Sequence, residues 1–530
     1  MDERAAAIAN NPYMPGCGYN RPMKKLLIGI TLAGLSACAV NPVTGDRQFM
    51  TVSPADDIAL GTQNYAPMVQ SQGGTYDVDT ELTAYVQSVG KRLAAVSDVA
   101  LPYEFTVLNS SVPNAWALPG GKIAVNRGLL VEIQSEAELA AVLGHEITHA
   151  AARHTAQQMS RAQILQGLVV ATSVVSSDSS YGNLAVGGAS VAAQLVSTKY
   201  GREAELEADK YGMRYMSKAG YDPQGAVTLQ ETFVRLSEGR NQSWLNGLFA
   251  SHPPSQERVT ANRERIRNLP AGGTLGVDAY RAAMQKTLDA KPAYDAYDAG
   301  RKALGEKKAD EALALADKAI ESFSAEANFH ALRGDVRLMN KQYDMAVTNY
   351  DRAISRRGNF FYYPLQRGLA NKELGKTDAA VADLERSLSL LPTAPAHYHL
   401  GLIKKDRGDT AAAIEHFRVV AKSGGDYGKA ASGQLARLEL AENPAAYVSR
   451  ACGAGNQGQL MVSVRNDAPL AITAVQVQVD YTDSAGRAQQ LRRNVGGRLE
   501  PGQVATADTG LAPYSGSGCP AKVISARIAE

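Results

Sequence analysis

The chain has 530 residues, and its 55 basic and 53 acidic side chains leave a formal net charge of +2. Hydrophobic residues make up 45% and charged residues 20%, which is typical of globular domains and excludes a largely disordered protein. The near balance of charge gives no reason to expect a nucleic-acid partner. Four cysteines over this length exclude a small disulfide-stapled fold. At about 100–200 residues per domain, the length predicts three to five domains.

The first 37 residues are predicted to be a leader. After Met23 come two lysines and an apolar run, which is too short to span a bilayer and has the pattern of a secretory signal peptide. The run ends in Leu35-Ser36-Ala37-Cys38, which resembles the bacterial lipobox and predicts lipidation of Cys38. A plain signal peptide is the alternative. Residues 1–22 fit no signal, which makes Met23 a candidate natural start.

The residue after the predicted lipidation site is alanine rather than aspartate. In lipoproteins with this signal, that choice favours the outer membrane, with the protein facing the periplasm. Several acyl chains hold a protein at a membrane without a spanning helix. The sequence therefore predicts a bacterial envelope protein that contacts the membrane through a lipid anchor.

The rest of the chain changes pattern several times, which predicts five further parts. These are an extended lead-in at 38–57, a mixed helix-rich domain at 58–270, a linker at 271–292, helical repeats at 293–440 and a small β-sandwich at 450–530. In the last part, apolar residues alternate along two predicted strands, one at 460–464 and one at 475–481.

Residues 293–440 contain a repeat of about 34 residues. Glycines recur at spacings of 34, 34 and 33, and an alanine follows each glycine by 12 residues. These positions are Gly300, Gly334, Gly368 and Gly401, with Ala312, Ala346, Ala380 and Ala413. A 34-residue period with small residues at helix crossings is typical of the tetratricopeptide repeat. Such arrays present a concave surface to peptides or partners, which is favoured here over a rigid spacer.

Residues 135–149 predict a metal-binding helix. Ser135 and Glu138 have the spacing of a capping box, so a helix should begin here. His145 and His149 are four residues apart and share one face, from which two imidazoles reach one zinc ion. Glu146 is placed to take a proton from a zinc-bound water during amide hydrolysis. A helix with two incidental histidines is the alternative.

Zinc in such a site needs a third protein ligand and an open position. Glu205 and Asp209 are four residues apart on a second predicted helix, which makes Glu205 a candidate ligand. Asp209 is a candidate to hold a histidine ring by a hydrogen bond. His154 follows His149 by five residues, whereas a metzincin has its third histidine six residues on, after a glycine, so that class is excluded.

Together these motifs resemble the HtpX and CAAX-prenyl-protease group of gluzincin metallopeptidases. The matching segments are His145-Glu-Ile-Thr-His149, Ala-Ala-Arg153-His154, Glu205-x-x-Ala208-Asp209 and Asn114–Ile123, with Trp116 where the group usually has Phe or another apolar residue. The resemblance covers about residues 40–270. Because repeats follow, the chain is most similar to the soluble periplasmic BepA type, although that type lacks the β-domain and is not characteristically lipidated.

The resemblance implies one zinc ion bound by His145, His149 and Glu205, with Asp209 as a supporting acid and candidate proton donor. It also implies that Gly121, Lys122, Ile123, Ala124 and Val125 form an edge strand beside the zinc, onto which substrate adds as a further strand. An internal strand is the alternative reading. His252 matches a histidine that can occupy the fourth zinc position and keep the enzyme latent, and a loop histidine before two prolines is the alternative.

Two apolar segments, 164–175 and 184–196, are too short to span a bilayer. Either a hairpin or lid over the cleft, or plain core helices, would account for them. Cys452 and Cys519 bracket the β-domain and are expected to pair in an oxidising periplasm, with two free buried thiols as the alternative.

The predicted protein is multidomain and mainly α, with an α+β zincin-type metalloprotease domain, an α-solenoid of tetratricopeptide repeats and a C-terminal β-sandwich. Its predicted function is zinc-dependent hydrolysis of unfolded or misassembled envelope proteins, with outer-membrane assembly machinery as a candidate partner of the repeats. The alternative is a chaperone or assembly scaffold in which the protease site is latent.

Overall fold

The computed structural model describes residues 38–166, 181, 184–186, 200–239, 252–514, 516 and 518–530. The predicted leader and most of the two apolar segments lie outside these residues, as does the side chain of Cys38. The described chain is mainly helical and ends in β-sheets, as predicted. None of its helices combines the length and the apolarity that crossing a bilayer requires.

The predicted lead-in is a short hairpin followed by a helix that begins at Pro54. Ser53 caps this helix because its side chain accepts from the backbone N–H of Asp56, whose carboxylate bonds back to Ser53. The elements up to residue 166 are β1 (Cys38–Val40), β2 (Arg47–Phe49), α1 (Pro54–Ser71), α2 (Thr80–Ala94), β3 (Glu104–Leu108), β4 (Ala115–Leu118), β5 (Lys122–Asn126), α3 (Arg127–Leu130), α4 (Glu136–Ala151) and α5 (His154–Gln166).

The predicted edge strand is wrong, because β5 is the central strand of its sheet. The strand order is β3-β5-β4, with β3 parallel and β4 antiparallel to β5. Ile123, Ala124 and Val125 are fully buried as a result. A strand hydrogen-bonded on both sides offers no backbone groups to a substrate. Among the described residues no strand pairs with the outer side of β4, so the edge of this sheet nearest α4 is β4.

Helix α4 is buried along its whole length. Its start is fixed by Ser135, whose side chain accepts from the backbone N–H of Glu138. The helix lies against α6 (Arg202–Lys218), and the two backbones touch where Gly144 meets Gly212. A Cβ at Gly212 would lie 2.9 Å from the backbone nitrogen of His145, so only glycine permits this approach.

The predicted linker at 271–292 is not a free connector. It contains α9 (Val277–Asp289), in which Tyr280 and Met284 are buried in the protease core. The Tyr280 hydroxyl donates to the carbonyl of Leu130 at 2.6 Å. Between α6 and this helix, the described residues form α7 (Gln224–Gly239) and α8 (Gln256–Ile266).

The repeats form antiparallel helix pairs, as the period predicts. The helices are α10 (Lys291–Gly305), α11 (Ala309–Ser322), α12 (Ala327–Met339), α13 (Tyr343–Arg356), α14 (Tyr362–Glu373), α15 (Thr377–Leu390), α16 (Ala394–Asp406), α17 (Thr410–Ala421) and α18 (Gly425–Glu439). Each predicted glycine lies where its helix crosses another, and a Cβ at Gly334 would approach the Tyr350 ring to 2.7 Å. The four alanines that follow the glycines are completely buried.

The repeats pack directly on the protease part. Gln70, near the end of α1, bonds in both directions: its amide donates to the Asn359 carbonyl at 2.7 Å and accepts from the Phe361 backbone N–H at 2.9 Å. Arg357 donates to the carbonyl of Thr75 at 2.9 Å. The protease and the first repeats therefore share one continuous interface.

The C-terminal part is the predicted sandwich, formed by β6 (Val448–Ala454), β7 (Leu460–Asn466), β8 (Ile472–Thr482), β9 (Ala488–Asn494), β10 (Val504–Asp508) and β11 (Ala521–Ile528). Its two antiparallel sheets have the strand orders β10-β7-β6 and β11-β8-β9. Val462 and Val464 of one sheet meet Val477 and Val479 of the other in a buried core. A disulfide joins Cys452 in one sheet to Cys519, which precedes the last strand of the other.

Candidate metal centre

The two histidines of α4 face each other at a buried point between α4 and α6. Nε2 of His145 lies 3.0 Å from Nε2 of His149. The Glu205 carboxylate, from the first turns of α6, lies 3.5 Å from the first of these atoms and 3.4 Å from the second. The sequence-predicted ligands are thus brought together by the close packing of the two helices.

His252 completes the cluster, although it is 47 residues beyond Glu205. Its Nδ1 lies 2.9 Å from Glu205 Oε1 and 3.3 Å from His145 Nε2. Ligand atoms of His145, His149, Glu205 and His252 all lie within 4.8 Å of one another, and all four residues are buried. Three imidazoles and one carboxylate that converge in this way form a suitable donor set for a metal cation.

In both α4 histidines, Nδ1 contacts a residue behind the ring, so Nε2 faces the cluster. Asp209 Oδ1 accepts from Nδ1 of His145 at 2.9 Å, which orients Nε2 of that ring toward the cluster. His149 Nδ1 lies 2.8 Å from His154 Nδ1, and burial lowers the pKa of His149, which keeps its ring neutral. With Nδ1 of both rings engaged by residues behind them, the two Nε2 atoms face the cluster 3.0 Å apart, which suits a shared metal cation.

Glu146 lies beside the cluster and is 2% exposed. Its Oε1 is 3.5 Å from His252 Nε2, while Oε2 is buried without a hydrogen-bond partner. Burial raises the pKa of the Glu146 carboxyl group. A buried carboxylate oxygen without a partner is costly, and a water molecule held at the metal would satisfy it.

Asp209 is locked by Arg258, which sequence reasoning missed. The Arg258 guanidinium donates twice to the two Asp209 oxygens, each at 2.7 Å, and also lies 2.9 Å from Glu205 Oε2. Burial alone would raise the pKa of Asp209, but the Arg258 charge outweighs it and holds that pKa below its ordinary value. An aspartate held ionised in this way is unsuited to proton donation, so the geometry supports the positioning role and not the donor role.

Sequence reasoning also missed one residue that touches the cluster, Tyr200, and two that lie behind it, Glu207 and Asn41. The Tyr200 ring stacks on His149 with centroids 3.9 Å apart. Glu207 accepts from His154 Nε2 at 3.2 Å and from the side chain of Asn41 at 3.1 Å. The sequence offered one indication of Arg258: it lies in the first turn of the helix that Ser255 caps, six residues after His252. Tyr200 and Asn41 carry no pattern that marks them.

A narrow pocket adjoins Glu146 on its other side. It is lined by apolar side chains of α6 and α7, including Met213, Met216, Leu229 and Phe233, and by Ala115 of β4. The volume of this pocket is about 30 Å³, which is room for a water molecule beside Glu146. The arrangement therefore combines a metal donor set, a partnerless carboxylate oxygen and a water-sized cavity next to it.

Comparison with known proteins agrees with this geometry. Residues 80–266 match the model of "Peptidase family M48". The metalloprotease YcaL of Escherichia coli is 32% identical over 225 residues, which is 41% of this chain and 82% of that protein. A putative beta-barrel assembly-enhancing protease of Vibrio cholerae is 30% identical over 270 residues, which is 49% of this chain and 51% of that protein.

The beta-barrel assembly-enhancing protease of Escherichia coli is 26% identical over 306 residues, covering 55% of this chain and 61% of that protein. The chain thus spans about half to three-fifths of the length of these two longer relatives. An Arabidopsis tetratricopeptide domain has 21% identity, covers 22% of this chain and 98% of its own, and has a TM-score of 0.22, too low for an argument about the fold. With the metal donors, the neighbouring glutamate and the YcaL match, the chain belongs to peptidase family M48, a family of metallopeptidases.

Proposed function

We propose that the protein is a zinc-dependent endopeptidase of the bacterial envelope that acts on unfolded or misassembled proteins. The observation that carries the proposal is the convergence of His145, His149 and Glu205 next to the partnerless oxygen of Glu146. A histidine-histidine-glutamate set suits one zinc ion, which would lower the pKa of a coordinated water and polarise a peptide carbonyl.

The chain's own residues supply the rest of the mechanism. Glu146 takes the proton from the attacking water and passes it to the leaving amine. Asp209 and His154 hold the rings of His145 and His149 so that both Nε2 atoms point inward. Arg258 keeps Asp209 ionised, and the small cavity beside Glu146 has room for the attacking water.

We assign the substrate-pairing edge to β4 in place of β5. Substrate would add as an antiparallel strand along the outer side of Ala115–Leu118, and Ala115 lines the pocket next to Glu146. Main-chain pairing carries little sequence preference, which suits a protease that removes many different damaged proteins.

We propose that His252 keeps the site latent. It is buried against Glu205 and lies 3.5 Å from Glu146, so its ring takes the space that an attacking water needs. Burial alone would lower its pKa, but the carboxylates of Glu205 and Glu146 raise it. Withdrawal of His252 would open the fourth metal position.

The proposed substrate class and location follow from the relatives and from the predicted lipid anchor. Two of the relatives are named for enhancing β-barrel assembly, which favours a role in outer-membrane protein quality control. The predicted lipid on Cys38 would hold the protein at the outer membrane, facing the periplasm. Assembly machinery at that membrane is the proposed partner of the repeats. A chaperone or scaffold with a latent protease site is the second candidate, favoured by the long repeat array.

The decisive experiment replaces Glu146 by glutamine. We expect zinc to stay bound while cleavage of an unfolded envelope protein falls by about 10²-fold or more, because the general base is lost. Loss of complementation in a deletion strain would support proteolysis as the function. Full complementation by this variant, with zinc bound, would favour the scaffold.

Three further variants test the parts of the proposal. Glu205→Gln should lose zinc, and full zinc retention would reject this ligand.

His252→Ala should cleave faster than the unaltered protein, and equal rates would count against latency. Radiolabelled palmitate should enter the protein only when Cys38 is present, and labelling of a Cys38→Ser variant would place the lipid elsewhere.

A further inference from the structure

The loop at residues 41–46 is part of the protease core, although it begins only three residues after the predicted lipidation site. Asn41, its first residue, is 4% exposed. Val43 is buried against Ala151, the last residue of α4, and Tyr211 of α6 packs on the same apolar cluster. The loop therefore touches both helices that supply ligands to the metal cluster.

The hydrogen bonds of the Asn41 side chain fix the orientation of its amide group. Its Oδ1 accepts from the backbone N–H groups of Val43 at 2.9 Å and Thr44 at 3.3 Å, so Nδ2 is turned away from the loop. Nδ2 donates to Oε1 of Glu207 at 3.1 Å. The opposite orientation would set Nδ2 against two N–H donors and Oδ1 against a carboxylate, which the contacts exclude.

Glu207 connects Asn41 to a residue of the metal cluster through His154. The same oxygen, Oε1, lies 3.2 Å from His154 Nε2. On the other edge of that ring, Nδ1 lies 2.8 Å from Nδ1 of His149. Three hydrogen bonds in series thus run from the loop to a ring of the cluster, and Asn41, His154 and His149 are each 4% exposed or less.

This series decides where the protons of the two rings lie. A metal at Nε2 of His149 requires that the proton of its neutral ring be on Nδ1. That proton points at Nδ1 of His154, which accepts it when the His154 proton is on Nε2. The Glu207 carboxylate holds the proton there by accepting from Nε2. Asn41 in turn fixes that carboxylate, since both donors share its Oε1.

We propose that Asn41 is a positioning residue of the metal centre, which acts on His149 through Glu207 and His154. This inference rests on the proposed function, since it concerns how the chain prepares one ligand for zinc. Without the Asn41 donor, the Glu207 carboxylate is free to turn, and His149 is free to take the tautomer whose Nε2 carries a proton and cannot bind a metal. The residues next to the predicted lipid site are then a working part of the protease and not a free tether.

The test measures the zinc affinity of the full chain and of its variants by competition with a chelator of known affinity. Asn41→Ala removes the whole amide. Asn41→Asp keeps the oxygen that accepts within the loop but replaces the donor to Glu207 by a carboxylate, so it separates the two roles of this side chain. A pH of about 8 keeps the new carboxyl group ionised. Gln48→Ala is the matched control, since it removes a hydrogen bond of 2.9 Å to Gln157 from the same hairpin.

We expect both Asn41 variants to bind zinc about three- to tenfold more weakly than the unaltered protein, because the effect reaches the ligand through two other side chains. The visible absorption of the cobalt(II)-loaded protein, which reports the geometry of the ligands, should change in both variants and stay the same in Gln48→Ala. Affinities and spectra of the Asn41 variants equal to those of the control would overturn the proposal.

A double-variant cycle tests the route of the effect. In a Glu207→Ala background, Asn41→Ala should cause no further loss of zinc affinity, because the connection is already broken. An equal further loss there would show that Asn41 acts on the loop alone, which would also overturn the proposal. Failure of the unaltered protein to bind zinc would reject the proposed function and this inference with it, whereas zinc binding that is insensitive to Asn41 would reject this inference alone.

Discussion

His154 Nδ1 lies 2.8 Å from Nδ1 of His149, although the two residues belong to different helices. Arg153, between the helices, has a left-handed φ of 60°, which ends α4 and turns the chain so that His154 begins α5. On its other side, Nε2 of His154 lies 3.2 Å from the Glu207 carboxylate. His154 is not one of the four residues of the cluster, but it acts on one of them by fixing the ring of His149.

The first prediction concerns this support. His154→Ala should weaken zinc binding by about 10- to 100-fold, because the ring of His149 loses the partner that orients it. Competition with a chelator of known affinity measures the change. His416→Ala, which removes a half-buried histidine from the repeats, serves as the control and should leave zinc affinity unchanged. Equal affinities in the two variants would show that His154 has no such role.

The second prediction concerns the buried pair of Arg258 and Asp209. Arg258→Met should lower the free energy of unfolding by about 3–5 kcal/mol, because it leaves the Asp209 charge buried without its cation. Guanidinium denaturation of the zinc-loaded protein measures the loss. Arg263→Met is the matched control on the same helix, since its ion pair with Glu231 is exposed and worth about 1 kcal/mol or less.

A double variant separates this charge effect from lost packing. Adding Asp209→Asn to Arg258→Met removes the unpaired charge, so part of the lost stability should return. If the double variant is as unstable as the sum of the single ones, the two residues do not interact energetically, and the ion pair is not what supports this part of the site.

The sequence predicted those parts of the site that follow from helical spacing. His145, Glu146 and His149 share one face of a helix whose start is marked by Ser135, and Glu205 keeps a fixed spacing from Asp209. The repeats were predictable for the same reason, because a helix crossing demands a small residue once in every unit.

What the sequence did not predict depends on contacts between distant segments. The sequence of residues 121–125 has no feature that distinguishes a central strand from an edge strand. The pairing of β3 with the second side of β5 joins segments that are separated in the sequence, so no local pattern predicts it. Arg258 reaches Asp209 across 49 residues. The linker prediction followed the glycines at 272 and 273, whereas α9 is held by burial of Tyr280 and Met284.

The third prediction tests the small residues at the helix crossings. Gly334→Ala should destabilise the repeats by about 1–3 kcal/mol, because its Cβ would lie 2.7 Å from the Tyr350 ring, which is fully buried and cannot move aside cheaply. Gly305→Ala is the control, since nothing lies within 4 Å of a Cβ at the end of α10, and it should be neutral or stabilising by up to about 1 kcal/mol. Urea denaturation followed by circular dichroism compares them, and equal stability would contradict the close helix crossing.

The fourth prediction concerns the disulfide between Cys452 and Cys519, which are separated by 67 residues in sequence. Replacing both by serine should lower the stability of the β-sandwich by about 2–4 kcal/mol, because the unfolded segment is no longer closed into a loop. The bond also ties the two sheets together, so the loss should fall on the sandwich and leave the zinc content and the melting of the repeats unchanged. Differential scanning calorimetry with and without dithiothreitol separates these transitions. The unaltered protein should lose stability in the reductant while the serine variant does not, and an unaltered protein insensitive to reductant would show that the bond contributes nothing to the fold.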